Sequence, residues 1–79
     1  MRVKVRLFAA LAVYAPGGEA GAGFETDLPA GSDLADLTAA LNLPRADARL
    51  AFVNGRAETF DYHLHEDDEV AIFPPVGGG

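Results

Sequence analysis

The stretch Glu69-Val70-Ala71-Ile72-Phe73-Pro74-Pro75-Val76-Gly77-Gly78-Gly79 sets the terms for everything before it. Its first half reads as a strand, with Val70 and Ile72 turned inward and Ala71 and Phe73 turned outward. Pro74-Pro75 then ends the strand and pre-extends the chain, because proline fixes φ and has no N–H to donate. The glycines lack a Cβ, so their backbone can thread where no side chain fits. Glycine runs at chain ends are common, but these follow the strand with no linker between. The expectation is a folded body over residues 1–73 and an arm over 74–79. The arm would carry the α-carboxylate of Gly79 into a narrow slot.

The body has to be small. At 79 residues it is one domain, and a domain of this size buries only about 60–65% of its unfolded surface. With 49% hydrophobic and 23% charged residues it is globular rather than disordered. No apolar run approaches the ~20 residues of a membrane span. Arg2–Arg6 alternates and is no signal peptide, so a soluble cytoplasmic protein is expected. The chain has no cysteine, which removes disulfides, thiolate metal sites and thiol nucleophiles together. Its net charge of -6 argues against nucleic acid and anionic membranes and suits a basic partner.

Upstream of the arm, Val3, Val5 and Leu7 share one face of a strand over residues 2–8. Arg2, Lys4 and Arg6 share the other, as a positive stripe on an acidic protein. Residues 8–15 have helical spacing and read as a short helix ended by Pro16-Gly17-Gly18. A glycine-rich loop over 16–23 leads to a second strand near Phe24–Leu28, expected to pair with the first. Ser32 is a good N-cap, Asp33 and Asp36 suit a first turn, and Leu34, Leu37 and Leu41 form one apolar stripe. A main helix is therefore expected over residues 33–41, stopped by Asn42 and Pro44. Leu50–Val53 is a short strand. Asn54-Gly55 is a type I′ hairpin signal with a return arm near Arg56–Glu58. Residues 59–68 are irregular.

The order is β-α-β-α-β-β-β. One main helix on one face of a mixed sheet is the economical two-layer solution, with the first and last strands central and parallel. His63-x-His65 lies among acids, but no regular element positions a third ligand, so these read as surface residues and no metal is expected. The one serine of the chain is in no nucleophile motif. Phe73, projecting where the arm leaves, is a candidate partner anchor.

The terminal string from Asp68 to Gly79 resembles the C-terminus of the small subunit of molybdopterin synthase, with its pattern Asp-Glu-Val-Ala-(apolar)-Phe-Pro-Pro-Val-x-Gly-Gly. The resemblance also takes in the first strand with Phe8, Asp36-Leu37, and Val53-Asn54-Gly55. It implies an α+β, ubiquitin-like β-grasp fold with an extended Gly-Gly tail. It further implies a sulfur carrier, the non-catalytic subunit of a sulfurtransferase. An E1-like enzyme would use ATP to adenylate the Gly79 carboxylate. A sulfur donor protein would convert the adenylate into a thiocarboxylate, and the large synthase subunit would use that sulfur for the dithiolene in a heterotetramer. Gly78 and Gly79 carry over as the activated end. Phe73, Pro74, Pro75, Val76 and Gly77 carry over as the partner-binding segment. The carrier itself would bind no cofactor. Asp67 stands where many members have glycine, and Gly77 where Ala, Ser or Thr is usual; Ala9–Ala15 lacks the usual charges. Carriers for tungsten cofactor, thiamine or other thio-metabolites, and protein modifiers acting through Gly79, share these features.

Overall fold

The computed structural model describes residues 1–75. Five strands and one α-helix organise it: β1 (Arg2–Leu7), β2 (Phe24–Asp27), α1 (Leu34–Ala40), β3 (Leu50–Val53), β4 (Arg56–Glu58) and β5 (Glu69–Phe73). They form a five-stranded sheet in the order β2-β1-β5-β3-β4. β5 is central and runs parallel to β1, with Val5 beside Val70 and Leu7 beside Ile72. It runs antiparallel to β3, with Ala51 beside Ile72 and Val53 beside Val70. β1 and β2 pair antiparallel as expected for a hairpin-like connection. No helix among the described residues is long and apolar enough to cross a membrane.

Strict alternation makes the layer beneath. Val3, Val5 and Leu7 are fully buried between exposed Arg2, Lys4 and Arg6. Val70, Ile72, Ala51 and Val53 continue that inner face, and Leu34 and Leu37 of α1 pack onto it. Leu11, Leu43 and Leu64 close the margins. The fully buried core is thus aliphatic, and the partly buried Phe24, Phe60 and Tyr62 pack against it.

α1 begins one residue later than Ser32 suggested. Asp33 is the N-cap: its carboxylate accepts from the Asp36 N–H at 2.8 Å, and Asp36 accepts from the Asp33 N–H at 3.0 Å. This reciprocal pair satisfies two donors. Ser32 instead donates its hydroxyl to Pro29 O within the preceding turn. The next orphan donors of the helix are met by the irregular segment, since Leu34 N–H donates to Tyr62 O and Ala35 N–H to Phe60 O. Residues 59–68 therefore lack regular structure because their carbonyls serve the helix. At the other end Leu41 is the C-cap and Asn42 takes a left-handed φ of 61°, as a helix stop requires.

The expected first helix over residues 8–15 is a 3-10 helix over Ala9–Tyr14. Leu11 N–H donates to Phe8 O and Ala15 N–H to Ala12 O, bonds of the tighter i to i+3 kind. The reason is positional. Phe8 lies on the outer face of the sheet while Leu11 and Ala12 are buried, so the chain must round the sheet end within a few residues.

The opposite end of the sheet is held by polar side chains. Asn54 (φ 52°) and Gly55 (φ 83°) make the β3–β4 turn, and Asn54 also locks it to β5. Its Nδ2 donates to Asp68 Oδ1 at 2.9 Å, and its Oδ1 accepts from Glu69 N–H at 2.9 Å. Buried Asp68 accepts in addition from His65 N–H at 2.8 Å. Asp67, at the position where glycine is common, adopts φ 67° and donates its N–H to Arg2 O. The turn keeps its left-handed geometry because aspartate tolerates that region better than most residues. Asn54→Gly retains the turn conformation and removes both side-chain bonds. It should lower the unfolding free energy by about 1–3 kcal/mol in urea titration, because Asp68 then loses a donor in a buried position.

Candidate functional site

The sheet has one face covered by α1. The other is open, and its residues converge on the point where the arm begins. Alternation puts Arg6 and Phe8, Ala71 and Phe73, and Phe52 on this face. Phe8 N–H donates to Ile72 O, and Arg49 N–H donates to Phe73 O. The last two residues of β5 are thereby held from both sides, Ile72 by Phe8 and Phe73 by Arg49. Pro74 ends that ladder, since it has no N–H. Pro74 is half-buried and Pro75 is exposed; Val76, Gly77, Gly78 and Gly79 lie outside the described residues.

Three phenylalanines surround this exit. Phe8 stacks on Phe73 with ring centroids 4.5 Å apart and planes 8° from parallel. Phe52 meets Phe73 edge-on, at 5.8 Å and 85°. Such pairs contribute beyond the area they bury. Gly21 sits against the Phe8 ring: a Cβ there would stand 3.4 Å from the ring, and its φ of +76° is left-handed. Its N–H also donates to Leu7 O. The glycine-rich loop therefore has a structural task, which is to seat Phe8. All three rings are half-buried, and Leu50, exposed beside Phe73 in the register, extends the apolar area. Contiguous apolar surface at a strand end marks an interaction site.

Phe73 is the last residue of β5, directly before Pro74, and faces outward as the alternation predicts. Its partners Phe8 and Phe52 went unassigned as site residues, although the signal was present. Phe8 continues the outward parity of Arg6, and Phe52 alternates with inward Ala51 and Val53. The two histidines are not brought together with acids to form a metal cluster. Among the described residues there is no group of three or more His, Cys, Asp or Glu arranged to hold a metal. His63 Nδ1 lies 3.1 Å from Gly31 O, and the ring of His65 lies beside Asp68.

The positive stripe of β1 is not uniform. Arg2 Nε bonds Asp27 Oδ1 at 3.0 Å, and its Nη1 is 3.6 Å from Glu25 Oε1. The hydrogen bond from Arg2, reinforced by its charge, holds the Asp27 carboxyl below the usual carboxylate range. Both groups are exposed, so this pair adds little stability. Lys4 lies between Glu25 and Glu69 in the strand register. Arg6 has Ala71 beside it in the register and forms no ion pair among the described residues.

The sequence profile of the ThiS family matches residues 5–79. No curated protein sequence matches the chain. Solved structures do. One, from Pyrococcus furiosus, is described as a molybdopterin converting factor subunit 1; it is 27% identical, with a TM-score of 0.69, over 95% of this chain and 98% of that one. SAMP1 from Haloferax volcanii is 22% identical with a TM-score of 0.68, and the match covers all of both chains. A complex of subunits 1 and 2 of the molybdopterin-converting factor from Helicobacter pylori contains a chain 24% identical, with a TM-score of 0.60 and full coverage of both. The last two show the same β-grasp, ubiquitin-like fold.

Phe8→Ala and Phe73→Ala should each destabilise the domain by about 1–3 kcal/mol. A double-mutant cycle in urea should return a coupling of about 0.5–1.5 kcal/mol. Strictly additive losses would show that the two rings do not support one another.

Proposed function

We propose that this chain, which belongs to the ThiS family, is a sulfur carrier that acts as the small subunit of a molybdopterin synthase. The observation that carries this reading is the root of the arm. β5 is pinned on both sides up to Phe73, an aromatic platform surrounds that residue, and Pro74-Pro75 leads out of the sheet toward Val76-Gly77-Gly78-Gly79. The Pyrococcus furiosus likeness and the Phe-Pro-Pro sequence favour the molybdopterin branch over thiamine or other thio-products.

The chemistry follows from the group at the end. A carboxylate is a poor electrophile, because attack must expel an oxide. An E1-like adenylating enzyme would bind ATP beside the Gly79 carboxylate. An oxygen of the Gly79 carboxylate attacks the α-phosphorus, pyrophosphate leaves, and an acyl-adenylate forms. A sulfur nucleophile from a donor protein then attacks the Gly79 carbonyl and AMP departs with the electron pair of the broken C–O bond. Where that nucleophile is the donor's persulfide, a thiol then attacks the donor-side sulfur of the acyl–S–S bond, forming a disulfide with the donor and releasing the Gly79 thiocarboxylate. The large synthase subunit would take that sulfur into the dithiolene, regenerating the carboxylate as water adds.

The carrier's own residues do not act as acid or base in this scheme. Gly77, Gly78 and Gly79 allow a bare backbone to enter a slot too narrow for side chains. The Phe8–Phe73–Phe52 platform docks the body, so that the arm is delivered from a fixed root and its ordering entropy is smaller. A partner that consumes ATP is consistent with a cytoplasmic carrier. It would bind no cofactor of its own.

Incubation with the cognate E1-like enzyme, ATP and a sulfide source tests the reading by intact mass. Replacement of one oxygen by sulfur is expected, and deletion of Gly79 should abolish it. A covalent ladder on target lysines without sulfur uptake would instead assign the chain as a protein modifier.

A further inference from the structure

Asn54-Gly55 carries chemistry as well as a turn. An asparagine side chain followed by glycine can cyclise, because glycine has no Cβ to crowd its own nitrogen. A base takes the proton of the Gly55 N–H, and the nitrogen attacks Cγ of Asn54. The Cγ–Nδ2 bond breaks, and Nδ2 gains a proton and leaves as ammonia. Water then adds to either carbonyl of the five-membered imide and opens it. A carboxylate results at position 54, on an ordinary chain or on one rerouted through the side chain. The net change is OH in place of NH2. The chain has one other asparagine, Asn42, and no glutamine. Asn42 precedes Leu43, whose side chain crowds the attacking nitrogen.

The folded turn exposes one partner of this reaction and restrains the other. Gly55 is exposed, with φ +83° and open space where a Cβ would stand. The Asn54 amide is held at both ends. Its Nδ2 donates to Asp68 Oδ1 at 2.9 Å, and its Oδ1 accepts from Glu69 N–H at 2.9 Å. Its backbone N–H donates to Glu69 O at 2.8 Å, so residue 54 exchanges two bonds with Glu69, one through its backbone and one through its side chain. A nucleophile reaches Cγ only from above or below the amide plane. A plane fixed at both ends cannot turn toward the neighbouring nitrogen without breaking both bonds. Asp68 is itself buried and accepts from His65 N–H at 2.8 Å, so the acceptor cannot follow the amide when it turns.

We propose that Asn54 is a latent deamidation site, kept closed by its clamp on Asp68 and Glu69, and that reaction there is one-way. Once residue 54 carries a carboxylate, an oxygen stands where Nδ2 donated to Asp68 Oδ1. Two carboxylates then face one another with no donor between them, and one of them is buried. Their repulsion opposes closure. The clamp re-forms without one of its bonds and against that charge. A chain whose β3–β5 end has stayed open long enough to react is therefore marked as opened. The site lies at the end of the sheet remote from the arm and is independent of the carrier reading.

The test follows intact mass and peptide maps of the full chain during incubation at mildly alkaline pH, in native buffer and in urea at one temperature. Exchange of NH2 for OH at Asn54 should be more than tenfold slower in the folded chain, because it waits for local opening. Asp68→Ala should speed it in native buffer. Asn54→Asp, which has the product side chain, should unfold at a lower urea midpoint than the wild type. Adding Asp68→Asn to it should recover part of that loss, since donor and acceptor then change places. If Asp68→Ala fails to fold, the folded and unfolded wild-type rates and the Asn54→Asp midpoint still decide. Equal rates at Asn54 in folded and unfolded chains would overturn the protection. An unchanged midpoint for Asn54→Asp would overturn the one-way step. Reaction at Asn42 ahead of Asn54 would overturn the site.

Discussion

The parallel pairing of β1 with β5 is the constraint on which the rest depends. It joins the two ends of the chain in the middle of the sheet, and every other element is an accessory to it. β2 and β3 extend it laterally, and α1 covers its inner face. A parallel pair needs a long crossover, because the chain must return to the same end of the sheet. Here the crossover contains the main helix, the β3–β4 hairpin and the irregular segment. The pairing also sets what surrounds the end of β5: the ladder that carries Leu7 beside Ile72 is the one that brings Phe8 against Phe73.

That arrangement divides labour between the two faces. The inner face is aliphatic and fully buried, and it supplies the cohesion a small domain has to extract from limited area. The outer face carries Phe8, Phe52 and Phe73, half-exposed, where they contribute less to the core than burial would allow. An aromatic platform kept at the surface makes sense if it is covered for part of the working cycle. Ala71 gives this face relief: a small residue between Arg6 and Phe52 leaves a hollow. A flat face of the same composition would offer area but little discrimination.

Local chemistry and tertiary need agree closely at the turns. Asn54-Gly55 was readable as a hairpin, but its second task was not, since the amide of Asn54 bonds to residues far along the chain. Asp67 departs from glycine yet holds the same left-handed backbone, so the turn depends on the dihedral and not on one residue type. The capping box of α1 shows the limit of a one-residue rule. Ser32 and Asp33 are both good caps, and Asp33 takes the role because Asp36 can reciprocate.

Periodicity alone determined the strands, the main helix and which side of each faced the core, because burial imposes a period of two or 3.6 on any chain that folds. The terminal Phe-Pro-Pro and glycines carried the resemblance to the molybdopterin synthase small subunit, which periodicity could not supply. Tertiary structure decided which outward residues became a site. Phe8 follows β1, Phe52 lies within β3 and Phe73 ends β5, and Gly21 comes from a loop with no periodicity. Only the sheet order brings them within contact, since contact between distant residues is set by register and topology and not by spacing along the chain.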